Sequence, residues 1–208
     1  MKNICLVNGS LRGEKAASLV FLKRLRAMLA SPDAETQIIR VRANAREPYP
    51  QETLQTLARA DAIILVFPLF TYGIPGAMMR LLEDYARFAQ NHPEPSAAAV
   101  YTVVNCGFPR PEIMAELIRV MKLFCRKLSL RWRFAVCMGG GPLAAETVKI
   151  PVLNAKYQQA FSAIVADLKH GSSGPVRDFF IHPLMPEPVI FWIKARYEKK
   201  MKAAAANS

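Results

Sequence analysis

The sequence predicts an α/β fold: a doubly wound, five-stranded parallel sheet followed by a C-terminal helical extension. Three observations predict it. Five short apolar runs alternate with segments of helical periodicity up to about residue 170. The central run, Ala62-Ile63-Ile64-Leu65-Val66-Phe67, is apolar without a break, as a parallel strand buried on both faces must be. The first strand, Ile4 to Val7, leads directly into a polar, glycine-containing loop and a helix start. In an open parallel sheet that junction is where ligands bind.

The elements follow in order. Leu19, Leu22, Leu25 and Leu29 recur at helical spacing after the first loop, and Ser31-Pro32-Asp33 closes that helix. Thr36 to Val41 alternates as a second, more exposed strand. Gln51 to Arg59 reads as a short helix ahead of the central third strand. Beyond Pro68–Gly76 comes a helix with Met78, Leu81, Leu82 and Tyr85 on one face, and Pro75 suits its first turn. Ala98 to Val104 is the fourth strand. The helix after it carries Met114, Leu117, Ile118, Met121 and Cys125 inward and Arg119, Lys122 and Arg126 outward. Trp132 to Met138 is the fifth strand, and Gly139-Gly140-Gly141-Pro142 reads as a tight turn. A last long helix starts at Pro151, with Leu153, Tyr157, Phe161, Ile164 and Leu168 at helical spacing.

Composition narrows the classes. With 208 residues, 52% of them apolar, the chain can bury one sizeable core. No run of 18 uncharged apolar residues predicts a transmembrane helix, and the start lacks the pattern of a signal peptide. Cys5, Cys106, Cys125 and Cys137 are widely spaced and lack a C-x-x-C pair. They read as reduced thiols of a cytoplasmic protein rather than as disulfides or ligands to zinc or an iron–sulfur cluster. His92, His170 and His182 suggest no metal site. The net charge is +12, yet no basic-aromatic cassette or helix-turn-helix supports a nucleic-acid partner.

The first loop, Asn8-Gly9-Ser10-Leu11-Arg12-Gly13-Glu14-Lys15-Ala16-Ala17-Ser18, carries two hydroxyls and two cations at a helix start. Free N–H groups and the positive helix end make such a loop an anion site. Its spacing is neither G-x-G-x-x-G nor G-x-x-x-x-G-K-[ST], which excludes the dinucleotide fingerprint and the P-loop. The pattern N-G-S-x-R with a serine six residues after the arginine resembles the phosphate loop of flavodoxin-like FMN reductases and NAD(P)H-dependent oxidoreductases. A second segment, Phe67-Pro68-Leu69-Phe70-Thr71-Tyr72-Gly73-Ile74-Pro75-Gly76-Ala77, resembles the F-P-L-Y-x-x-G-x-P-G-x stretch of the same family. Phe70 stands where tyrosine is frequent, and Ala16-Ala17 stand where relatives often carry polar residues.

The resemblance implies a flavodoxin-like strand order, in which the loops after strands one, three and four converge. It implies FMN as cofactor and NAD(P)H as co-substrate. Ser10, Arg12 and Ser18 are then expected to hold the FMN phosphate, with Lys15 as a further candidate. Pro68, Leu69, Phe70, Tyr72 and Gly73 are expected to line the isoalloxazine, with backbone N–H groups of that loop on the ring. Asn105, Cys106, Gly107 and Phe108 are expected to meet its pyrimidine edge or dimethylbenzene side. Cys106 is not expected to be a redox thiol, and Trp132 reads as core or interface. The flavin carries the chemistry, so no catalytic side chain is assigned. The implied reaction passes a hydride from NAD(P)H through flavin to a small acceptor such as a quinone, a flavin or a nitro- or azo-aromatic. The alternative is a non-enzymatic FMN-binding electron carrier or regulatory flavoprotein, which the basic charge balance disfavours against the acidic docking surfaces typical of such carriers.

Residues 1–176 are expected to form the FMN-binding domain and 177–208 an extension that packs on the same or a neighbouring subunit. Phe179-Phe180-Ile181 and Val189-Ile190-Phe191-Trp192-Ile193 are too apolar for a disordered tail. The reading is an extended segment broken by Pro183, Pro186 and Pro188, then a helix from Glu187 to Lys202. Its basic side makes a membrane-surface role conceivable, but docking on protein is preferred. A homodimer or higher oligomer is expected from the resembling reductases.

Overall fold

The computed structural model describes residues 1–43, 47–92, 97–146, 151–171, 177–184, 188–189, 192 and 195–196, with the side chains of Lys15 and of residues 151–154 outside that description. Strand β1 (Lys2–Asn8) leads through a 3-10 turn at Gly13–Lys15 into α1 (Ala17–Leu29). Then follow β2 (Ala34–Arg40), α2 (Gln51–Ala58), β3 (Ala62–Pro68), α3 (Gly76–Asn91) and β4 (Ala99–Asn105). A 3-10 turn at Pro111–Met114 precedes α4 (Ala115–Lys127), β5 (Arg131–Met138), α5 (Gly141–Glu146), α6 (Pro151–His170) and β6 (Phe179–Ile181).

The sheet has six strands in the order β2-β1-β3-β4-β5-β6, every pair parallel. The five-strand expectation is therefore corrected. The sixth strand comes from the segment read as an extension, and the expected boundary at residue 176 falls just ahead of it. Three residues of β6 pair with Val136, Cys137 and Met138. A strand so short leaves no periodic signal of its own; β5 supplies the template that makes it a strand.

Period-two alternation explains the layering. On β3, Ile63, Leu65 and Phe67 face one core and Ala62, Ile64 and Val66 the other. The first core is covered by Leu54 and Leu57 of α2, Met78, Leu81 and Tyr85 of α3, and Leu117 and Met121 of α4. The second is covered by Leu19, Leu22 and Leu25 of α1, Ala144 of α5, and Phe161 and Ile164 of α6. A strand buried on both faces has no polar side, which is why β3 reads as one apolar run. Among the described residues, no helix is long and apolar enough to cross a membrane. The helix expected from Glu187 lies mostly outside the described residues; Pro188, Val189, Trp192, Ala195 and Arg196 are helical, with the Arg196 guanidinium 5.3 Å from the Trp192 ring centre.

Candidate flavin site

The carboxyl ends of β1, β3 and β4 stand side by side in the sheet, so their loops must meet. In the β1 loop the Ser10 N–H donates to Asn8 Oδ1 at 3.1 Å, and the Arg12 N–H donates to Ser10 Oγ at 3.3 Å. These side-chain-to-backbone bonds fix the turn locally. Ser10 is buried and Arg12 is exposed, with no acidic partner among the described residues. Glu14, close by in sequence, is taken by Lys23 and Arg40, at 2.6 and 3.4 Å; its Lys23 partner first of all lowers its pKa.

Helix α1 opens on Ala16, which has no side chain able to cap it. Alanine is a poor cap, so the first N–H groups of the helix need another acceptor. The N–H groups of Ala17 and Ser18 find none among the described residues. Ser18 itself is 1% exposed, and its Oγ accepts a hydrogen bond from Asn105 Nδ2 at 2.9 Å. The same Nδ2 donates to the Phe67 carbonyl at 3.3 Å. One buried carboxamide thus ties the β1 loop to the ends of β3 and β4. Asn105 and the equally buried Cys106 form the floor of the site, and Gly107 and Phe108 its accessible part. The Cys106 thiol donates to the Phe108 carbonyl at 3.3 Å, and burial pushes its pKa up. Burial of this kind disfavours the thiolate.

The β3 loop folds back on itself. Phe70 and Gly73 exchange both backbone hydrogen bonds, at 3.0 and 2.9 Å, around Thr71 and Tyr72. Both central residues have positive φ, 48° and 61°. Glycine or asparagine normally fills such a turn; a β-branched threonine there is strained, and strain of this kind gathers at functional sites. The turn lifts Phe70 and Tyr72 into solvent, 66% and 67% exposed. Tyr72 stacks on Phe108 across the gap between the loops, with ring centres 6.2 Å apart and planes 20° apart. The Leu69 N–H is engaged with the Asn105 carbonyl at 2.8 Å. With Phe70 and Gly73 also paired, the N–H groups of Thr71 and Tyr72 are the ones in this turn without a partner among the described residues. Pro68 and Leu69 are half-buried beneath it. Of the expected phosphate residues, the Lys15 side chain lies outside the described ones.

Sequence reasoning missed one support. Gly139-Gly140-Gly141 is more than a turn. A Cβ on Gly139 would come within 2.4 Å of the Pro109 carbonyl oxygen, and one on Gly141 within 2.7 Å of the Asn105 side chain. Only glycines let this loop nest against the β4 loop, where the Gly140 N–H donates to Phe108 and the Gly141 N–H to Cys106. Three consecutive glycines after a strand were the available signal.

These features suit FMN: a helix end without a side-chain cap, an arginine and a hydroxyl for a phosphate, and an aromatic ledge whose Thr71 and Tyr72 N–H groups have no partner among the described residues, for a flat ring. The family model described as NADPH-dependent FMN reductase matches residues 2–107, a span that includes all three loops up to Gly107. The chain belongs to that family. FMN is its cofactor and NAD(P)H its reductant. No curated protein sequence matches this family member significantly. Among solved structures, it is similar to the apo form of an NADH:FMN oxidoreductase, at 14% identity and a TM-score of 0.61 over 91% of this chain and 99% of that one. It is also similar to general stress protein 14 of Treponema denticola in complex with FMN, at 11% identity and 0.61 over 81% and 99%. A third is an azoreductase from Bacillus anthracis, at 12% identity and 0.55 over 83% and 100%. At such identities the likeness is one of fold.

Proposed function

We propose that this family member reduces a small planar acceptor, a quinone, a flavin or a nitro- or azo-aromatic, at the expense of NAD(P)H. The observation that carries the reading is the exposed ledge of Phe70, Tyr72 and Phe108 at the same end of the sheet as the phosphate-type loop, on strands β3 and β4 that follow β1 in the sheet order. Solvent-exposed aromatics cost free energy unless a ligand covers them. FMN, when bound, supplies hydride chemistry between nicotinamide and acceptor. The chain's own residues do the rest. Arg12, Ser10 and the opening N–H groups of α1 hold the phosphate; Ser18, expected beside them as a phosphate ligand, is buried against Asn105 and is given the role of bracing that helix end from below. Thr71 and Tyr72 offer backbone N–H groups to the ring, and Phe70, Tyr72 and Phe108 keep water from its edge. No side chain is assigned as nucleophile or general base. Nicotinamide and acceptor use the same open space in turn.

Stopped-flow mixing of FMN-loaded protein with NADH and with NADPH, without oxygen, tests this. Rapid bleaching of the flavin absorbance by either nucleotide, then re-oxidation by a quinone or azo dye, is expected. If neither nucleotide bleaches the flavin within minutes, the electron-carrier reading replaces this one. We further propose a homodimer or higher oligomer, as in the reductases whose motifs these loops resemble.

A further inference from the structure

At the opposite end of the sheet lies a cavity of about 340 Å³ among the amino ends of the strands and the carboxyl ends of α2 and α6. A seven-residue strand separates the two ends by roughly 20 Å. Four cations of its wall, Lys2, Arg59, Arg131 and Arg133, face two carboxylates, Asp61 and Asp167.

One wall is a buried network. Arg133 Nε and Nη2 donate to the two oxygens of Asp167, each at 2.7 Å, and the Tyr101 hydroxyl donates to Asp167 Oδ2 at 2.8 Å. The ion-pair side chains are 6% and 5% exposed. Burying a charge pair is a poor way to gain stability, because desolvation offsets the attraction. Placing Arg133 there also takes an irregularity. The β4–β5 register shifts between Val100 and Tyr101, pairing Val100 with Trp132 and Tyr101 with Phe134 and passing over Arg133. The shift turns Arg133 to the α6 side, where Asp167 sits. Bulges that re-aim a side chain are features of sites.

The other groups divide into engaged and available. Asp61 Oδ2 accepts the Asn3 N–H at 2.7 Å. Lys2 Nζ donates to the Leu168 carbonyl at the end of α6, covering the negative helix end. Arg59 and Arg131 stand exposed at the rim with no acidic partner among the described residues.

We propose that this basal cavity binds a small oxyanion of the phosphate or carboxylate class, with Arg59 and Arg131 as its rim cations and the Arg133–Asp167–Tyr101 network as its rigid wall. Guanidinium groups recognise such anions through paired N–H donors, and the +12 chain draws anions to its surface.

The test is calorimetric titration of inorganic phosphate, and separately of citrate, into the full chain saturated with FMN at constant ionic strength. FMN fills the phosphate loop, so that loop cannot supply the signal. Saturable binding of at least one anion is expected, and which one responds assigns the class. Arg59→Gln and Arg131→Gln, checked for folding by circular dichroism, should each weaken it at least tenfold, and Arg12→Ala should not. Absence of saturable binding by both anions, wild-type binding by both rim variants, or loss through Arg12→Ala alone would each overturn the proposal. If FMN does not saturate the protein, the flavin reading fails, and the rim variants still decide the basal site in the FMN-free chain.

Discussion

Arg12 shows how one residue is set up by its neighbours. Its backbone is held by Ser10 Oγ while its guanidinium has no acidic partner among the described residues, Glu14 being occupied by Lys23 and Arg40. A charge-assisted hydrogen bond contributes about 1.5–3 kcal/mol. Arg12→Ala should therefore weaken FMN affinity roughly ten- to a hundredfold, read by fluorescence titration of the flavin. An unchanged affinity would remove the phosphate from this loop. Thr71 and Tyr72 pose the converse case: their left-handed backbone costs on the order of 1 kcal/mol or more each, and the Phe70–Gly73 hydrogen bonds keep it in place.

Among elements, β6 has the most consequences for its length. Ile181 is 4% exposed, and its carbonyl accepts the Gly139 N–H at 3.0 Å. Asp178, just before β6, accepts the Ala135 N–H at 2.8 Å and pairs with Lys122 at 2.6 Å. The glycine loop held in this way supports Phe108 in turn. We propose that the segment after residue 176 completes the sheet and steadies the site. A chain ending at Pro175 loses the burial of Phe179 and Ile181, roughly 1.5–3 kcal/mol for a fully buried side chain. Its melting temperature should fall by several degrees, as about 1 kcal/mol shifts a domain of this size by a few degrees, and its FMN affinity should drop. A truncated chain with wild-type melting and wild-type FMN affinity would show that β6 supports neither fold nor site.

For the whole molecule, the two ends of the sheet carry different chemistry. The carboxyl end presents loops with open N–H groups and exposed aromatics; the amino end presents a basic cavity with a buried ion pair. Self-association belongs to this scale too. Val120 and Leu123 of α4 are 48% and 53% exposed, apolar area that a second subunit would remove from water. Light scattering at micromolar concentration should report at least a dimer, and a monomer would reject the proposal.

The sequence by itself determined the alternation of strands and helices, the central position of β3 and the residues of three loops. Each of these is written in local chemistry: a two-sided apolar run, a polar glycine-containing loop at a helix start, a turn between strand and helix. Tertiary structure alone decided the rest, because the deciding partners are far apart in the chain. Asn105 became a strut by meeting Ser18, 87 positions away. Phe179–Ile181 became a strand because β5 offered an unpaired edge. Arg133 was turned inward by a register shift that no single-strand pattern records, toward an aspartate 34 positions later. Periodicity reports which face of an element is apolar; it carries no information on which distant group will satisfy a buried donor, and that pairing is settled only when the elements pack.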